Sequence, residues 1–291
     1  MQPNVRGQLH MPHSRAKRKI QTGAFLSYLI LSAWSFTTIY ALFWLVNNSF
    51  KISSDVMNSS FKLAWNPITV NYTAAFDRIN IGRSYLNSLI MSGGVVLLVL
   101  LFGGLAAYVL ARFRFRGRSA IFSILYASLL IPAFATVVPV YELLIKWSLV
   151  NTYGGLIFPQ TAGNLTFAIL VLAGYMSTIP KELEEAAFID GCNRWSMFVK
   201  IFMPVSKPAF ASASIFVFLW SYNDLFSALI FVNKDNVRPI VALLSEISSQ
   251  YGTDFGLMAT AVSLTVVPVL IVYLFIQRFI EQGLTEGAVK G

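Results

Sequence analysis

Six stretches of this chain, residues 25–46, 86–111, 120–141, 155–176, 208–232 and 257–277, are long and almost free of charge. A helix needs roughly 20 apolar residues to cross the hydrocarbon of a bilayer, and each stretch is long enough. Inside lipid every backbone N–H and C=O must find its partner within the protein, so runs of this kind are built as helices. The chain is therefore read as an all-α, polytopic membrane protein with six transmembrane helices. Its composition agrees, with 56% hydrophobic and 12% charged residues, where a soluble domain carries about a quarter charged. Asp224 is the one charge inside the six stretches. Pro132, Pro139, Pro159 and Pro268 are expected to kink their helices, which membrane proteins tolerate.

Lysine and arginine set the orientation, because cytoplasmic segments carry the excess of both. With the N-terminus inside, the inner segments hold 15 of the 22 basic residues. Both termini are accordingly expected in the cytoplasm. The predicted organisation is a tail over 1–24, a first transmembrane helix over 25–46 and an extracytoplasmic loop over 47–85. A core of five further helices follows over 86–280, including a cytoplasmic loop at 180–204, and then a tail over 281–291. The first apolar run is too long for a signal-peptide core and no small-residue cleavage site follows it, so it is read as an uncleaved helix. The net charge of +9 is accounted for by the inner rim beside anionic lipid, without any nucleic acid. The long outer loop contains Trp65, Pro67, Tyr72 and Phe76 and is expected to hold fixed structure.

No site for catalysis is evident. Both histidines, His10 and His13, lie in the N-terminal tail, which leaves no buried histidine for a triad or a zinc motif. The single cysteine, Cys192, excludes an internal disulfide and a multi-cysteine metal site. No glycine is followed by lysine, so there is no phosphate-binding P-loop. Gly93-Gly94 and Gly103-Gly104 are read as places where membrane helices pack closely. The run Arg112, Arg114, Arg116 and Arg118, interleaved with Phe113 and Phe115, is read as an interfacial anchor.

The charged stretch 180–204, PKELEEAAFIDGCNRWSMFVKIFMP, stands between two apolar runs. It predicts two short helices joined by a turn. Pro180 suits a first helical turn, and Glu182, Glu184 and Glu185 follow near the positive end of the dipole. Gly191 provides the left-handed residue that ends the first helix, and Asn193 caps the second. Trp195, Phe198, Val199 and Phe202 fall on one apolar face, expected to be available to a partner, and Pro204 is expected to stop the helix.

Glu185-Ala186-Ala187, then Asp190-Gly191, then Pro204 resembles the EAA loop of ABC-importer permeases, and the surrounding IPKELEEAAFIDG is similar to the carbohydrate-uptake branch. The closing residues Gln282-Gly283-Leu284-Thr285, Gly287 and Val289-Lys290-Gly291 resemble the end of the maltose-permease-type half of that family. Weaker similarity runs through Asn71-Tyr72, Asn87-Ser88, residues 132–141 and Asn223-Asp224. Cys192 stands where the family usually has alanine, and Tyr222 where it often has tryptophan.

The resemblance implies a non-catalytic permease subunit in the cell membrane of a prokaryote. It would form half of a translocation path for a sugar or oligosaccharide. Implied partners are a second homologous permease subunit, two separate ATPase subunits that bind the ATP and Mg, and an extracytoplasmic solute-binding protein. Glu185, Ala186, Ala187, Asp190, Gly191, Trp195 and Phe198 would couple the ATPase to the membrane helices. A glycine-containing C-terminal tail is expected to extend between the ATPase subunits. An ABC permease for a non-sugar solute, such as a glycerophosphodiester, would share these motifs. A secondary transporter or a membrane-embedded enzyme would need intramembrane ionisable groups that Asp224 alone does not supply.

For the substrate path the candidates are Asn223, Asp224, Trp220, Tyr222 and Asn164. A carboxylate, amides and aromatic faces can together hold a sugar. Asp224 has two open readings, substrate contact or gating on one hand and helix packing on the other. Asn87 and Asn164 read first as hydrogen bonds between helices.

Overall fold

A computed structural model describes residues 17–78, 80–242 and 254–288. The described residues form helices joined by turns, with no strand among them. The helices are α1 (Lys17–Ser49), α2 (Ser53–Ser59), α3 (Val70–Arg78), α4 (Ile81–Arg112), α5 (Arg118–Ser128), α6 (Val137–Lys146) and α7 (Tyr153–Ser177). They continue with α8 (Lys181–Ile189), α9 (Arg194–Met197), a π-helical turn (Phe198–Phe202), α10 (Met203–Val205), α11 (Lys207–Tyr222), α12 (Leu225–Phe231) and α13 (Phe255–Ala288).

Three of the apolar runs are uninterrupted helices of spanning length, Ala24–Ser49, Ile81–Arg112 and Tyr153–Ser177. Two are broken where the sequence predicted single helices. In 120–141 the chain turns after α5, passes through a 3-10 turn, Ala133–Thr136, and resumes as α6, the two arms meeting at 97°. Pro132 explains the break, since it lacks the N–H a continuing helix needs and holds Ile131 out of helical geometry. In 208–232 the break falls at Asn223-Asp224. There the Asn223 side chain bonds back to the Leu219 carbonyl at 2.8 Å, and Asp224 accepts from the Ser227 N–H at 3.0 Å, ending one helix and starting another. The sixth run, 257–277, lies within the single helix α13.

α4 packs extensively on α7, and α11 packs against both. Their glycines set the spacing. A Cβ at Gly94 would stand 2.9 Å from Ile157 of α7, one at Gly103 would stand 3.4 Å from Ala168, and one at Gly104 would stand 2.9 Å from the Phe210 ring of α11. Val95, Val99, Ala168 and Val217 are fully buried at this three-helix contact. α1 packs instead on α13 and leaves Phe25, Tyr28, Trp34 and Phe36 exposed along its length.

The link between α1 and α4 is ordered by polar groups. The buried Lys51 ammonium donates to Asn48 Oδ1 at 3.1 Å and to the carbonyls of Ser59 at 3.0 Å and Lys62 at 2.6 Å. Desolvation pushes this amine below its usual pKa, against the opposing pull of Asp55. Asn71 of α3 donates to the carbonyls of Ser49 and Lys51 at 2.9 and 2.8 Å, and Thr260 of α13 reaches Ser49 at 3.1 Å. Gly256 permits this seam, because a Cβ there would fall 2.3 Å from the Lys51 carbonyl oxygen.

Two further expectations are corrected. The tail of α13 is helical through Ala288, so residues 281–288 are not extended; residues 289–291 lie outside the described residues, as do 1–16 of the N-terminal tail and 243–253 before α13. Pro204 does not stop its helix. It sits in the first turn of α10, after a π turn that widens the helix where the proline ring would otherwise meet the Lys200 carbonyl. The chain bends only afterwards, by 77° between Arg194–Val205 and α11.

Candidate functional site: a helical knob and a polar cleft

The 180–204 stretch folds as a knob on the ends of α4 and α7. Pro180 is the N-cap of α8, with extended ψ, and the helix begins at Lys181. Gly191 takes φ +78°, which L side chains rarely adopt. Its N–H donates to the Phe188 carbonyl at 3.1 Å, and the Cys192 N–H to the Ala187 carbonyl at 2.9 Å. These two bonds form a Schellman motif, and the packing of Cys192 in the same apolar cluster as Ala187 completes it. Asn193 then caps α9, its Oδ1 accepting from the Ser196 N–H at 2.8 Å.

The apolar face splits in two. Phe198 and Phe202 are buried, with Met197, against Ala107, Tyr108, Leu172, Ala173 and Met176. Trp195 and Val199 face outward. The expectation of one stripe free for a partner is thus corrected, because half of it is spent fixing the knob to the span ends. Outward-facing apolar surface comes from elsewhere as well, from Phe188 at 75% and Ile189 at 84% exposure. Of the residues singled out for coupling, Glu185, Ala186, Asp190, Gly191 and Trp195 are exposed, whereas Ala187 and Phe198 are buried in the knob's own core.

Arg112 is not an interfacial anchor. Its side chain, 5% exposed, donates through Nε and Nη2 to Glu184 Oε2 at 2.9 and 2.7 Å. Nη1 donates to the Ile179 carbonyl at 2.9 Å, and the guanidinium carbon lies 5.0 Å from the centre of the Phe202 ring. Opposite charge at two segment ends was the only sequence signal for this pair. Any arginine of 112–118 could have met any glutamate of 182–185, so the sequence did not single it out.

The second feature is a cleft of about 740 Å³ between the α5–α6 elbow, the middle of α7 and the α11–α12 break. Four of the five residues proposed for the path line it, Asn164, Trp220, Asn223 and Asp224. Tyr222 does not. It is buried, stacked on Phe218, in a cluster with Ile81, Ile240 and Leu257, because the helix turns successive residues about 100° apart. Asn164 donates to the Gln160 carbonyl of its own helix at 2.7 Å, so it joins no second helix. Asn87 does link elements, accepting from Tyr153 Oη at 2.7 Å and donating to the Arg238 carbonyl at 3.0 Å.

Sequence reasoning missed Gln160. Its Nε2 donates to Asp224 Oδ2 at 3.0 Å, while its Oε1 accepts from Ser221 Oγ at 2.5 Å. One amide, next to Pro159 in α7, thus joins the α11–α12 break to the neighbouring helix. Asp224 is half-buried at the cleft wall and, among the described residues, is the only ionisable one lining it. Both readings of Asp224 meet here, since it caps a helix and faces the cleft.

Comparison with known proteins agrees with this architecture. The family described as binding-protein-dependent transport system inner membrane component matches residues 99–286, which include the knob and the residues lining the cleft. The diacetylchitobiose uptake system permease protein NgcG of Streptomyces coelicolor is 35% identical over 92% of this chain and 89% of its own length. The probable ABC transporter permease protein YurM of Bacillus subtilis is 30% identical over 95% of this chain and 92% of its own. In fold, the chain is similar to a subunit in the crystal structure of a bacterial ABC transporter that imports the acidic polysaccharide alginate, with a TM-score of 0.77 at 20% identity, covering 92% and 99% of the two chains.

Proposed function

Because the chain belongs to the family of binding-protein-dependent transport system inner membrane components, we propose that it forms half of the translocation path of an ABC importer for an uncharged saccharide. The chain is an integral membrane protein and an ABC importer permease. The finer reading comprises six spans with both termini in the cytoplasm, a second homologous permease and two ATPase subunits docked beneath. An extracytoplasmic binding protein delivers the substrate. Hydrolysis of ATP belongs to the ATPase subunits, and this chain contributes conformational work.

The observation that carries the reading is that one helix, α7, holds both ends of the device. Its middle lines the cleft through Gln160, Gly163 and Asn164, and its C-terminus carries the knob. Motion imposed on the exposed Glu185, Phe188, Ile189 and Trp195 surface is passed to the cleft through packed helices, where a flexible loop would absorb it. The solute-binding wall has Gln160, Asn164, Asn223 and Asp224 as polar groups and Trp220, Phe134 and Phe226 as aromatic faces. Among the described residues no lysine or arginine lines it. This favours a neutral sugar over a glycerophosphodiester, whose negative charge would meet Asp224 with no cation nearby to compensate.

The test is uptake in a host deleted for this chain and complemented with it. Radiolabelled diacetylchitobiose, an arabino-oligosaccharide and a glycerophosphodiester serve as probes. Vanadate-sensitive uptake of a sugar is the expected result. Uptake that persists with the ATPase subunits deleted would assign the chain to secondary transport and overturn the reading.

A further inference from the structure

We propose that Arg112 is the strut through which the knob moves the membrane helices, a positioning residue rather than a simple packing or anchoring group. The proposal rests on the reading of the knob as the ATPase contact.

Four elements meet at this one guanidinium. Arg112 is the last residue of α4, where a cation complements the carbonyl end of the helix dipole. Glu184 stands in the first turn of α8, where an anion complements the opposite end. Both Nε and Nη2 grip a single oxygen, Oε2. On its other edge, Nη1 reaches the Ile179 carbonyl at 2.9 Å, in the link just after α7, and the Met176 carbonyl in the last turn of α7 at 3.5 Å. The Phe202 ring of the π turn closes one face. A planar fork with donors on two edges can serve an ion pair and carbonyls together, which a lysine ammonium on a flexible stem cannot do with fixed geometry.

The surroundings make the link stiff. The Arg112 side chain is almost fully buried and that of Glu184 is about one-third exposed, at 31%, so water competes little for the arginine side. Two other hydrogen bonds at this junction are longer, at 3.3 Å from Tyr108 Oη to the Arg194 carbonyl and 3.4 Å from Tyr175 Oη to the Val205 carbonyl. Knob displacement is therefore delivered to the end of α4 and the end of α7 at once. From Ser177 back to Asn164 is about 20 Å of helix, at about 1.5 Å per residue, and a rigid helix carries that displacement to the cleft.

The experiment reads that transmission without needing the substrate. Asn164→Cys in a Cys192→Ser background places one thiol in the cleft of the full complex with its ATPase subunits in lipid vesicles. Its labelling rate by a small maleimide is measured without nucleotide and after trapping with ATP and vanadate. In the parent the two rates are expected to differ by roughly 5-fold or more, the low end of typical coupling between sites. Arg112→Gln and, separately, Glu184→Gln are expected to retain the ATPase subunits on purification and to lose most of that difference. Arg112→Lys should restore only part of it. Glu184→Gln leaves the arginine's carbonyl bonds in place, so it also serves if Arg112→Gln does not assemble. If the parent responds and both glutamine variants respond equally, the strut is overturned while the knob reading stands. If the parent binds no ATPase subunits, the knob reading itself fails and the strut with it.

Discussion

Replacing Gly191 isolates the backbone contribution of the knob. A Cβ built at this position meets nothing within 4 Å, so a substituent causes no steric clash and its cost is conformational. The left-handed region costs an L residue about 1–2 kcal/mol, with asparagine the best tolerated and a β-branched residue the worst. A cost of that size changes a two-state population by about 5- to 30-fold. Substitution draws the turn away from φ +78° and releases the Gly191 N–H to Phe188 and Cys192 N–H to Ala187 bonds, which re-aims α9 relative to α8. The series Gly191→Asn, Gly191→Ala and Gly191→Val should therefore lower the affinity of the ATPase subunits in that order, by up to the same factor. Membrane insertion should be unchanged, since the apolar spans are untouched. The assay is titration of purified ATPase subunits onto the permease complex in lipid vesicles, with stimulated ATP hydrolysis as second readout. Equal affinity for wild type and Gly191→Val would refute the role of the turn. Equal loss for all three variants would refute the conformational account.

Other expectations follow from particular contacts. Asp224→Asn should preserve the α12 cap and the tie to α7, because Gln160 can turn its amide over to donate to Ser221 and accept from the new amide; uptake should fall while folded yield in detergent stays near wild type. Asp224→Ala loses both contacts, and its cap alone is worth about 0.5–2 kcal/mol, so yield should fall as well; a normal transport rate for Asp224→Asn would leave only the packing role. Gly256→Ala forces a Cβ against the backbone oxygen of Lys51 at 2.3 Å and the Asn71 amide at 2.9 Å, and should cost about 3 kcal/mol, the upper end of ordinary overpacking, read as a lowered melting temperature in detergent. The split of basic residues predicts that cysteines at the exposed positions Asn58 and Asn236 label from outside intact cells, and those at Ser119 and Lys181 do not. Outside labelling at Lys181 would invert the topology.

Apolar length and the positions of punctuating residues were legible in the sequence by themselves. Runs such as 86–111 and 155–176 can only be helices in lipid, and α4 and α7 follow. The turn at Gly191 and the cap at Asn193 were equally legible, since each depends on one residue's local chemistry. Partners were a different matter. Which arginine meets which glutamate, or that Gln160 joins Asp224 to Ser221, depends on how helices distant in sequence cross. The same holds for direction. Spacing put Trp195, Phe198 and Phe202 in one group, yet packing against the ends of α4 and α7 buried the two phenylalanines and left the tryptophan outside. Tyr222 sits beside Asn223 and Asp224 in the chain but points into a different cluster, because a helix sends neighbours to different faces and only the surrounding helices decide which face meets the cleft. Local rules act over a few residues and are written in order along the chain. The strut and the cleft arise from contacts between residues roughly 60 to 70 positions apart, which only close packing brings together.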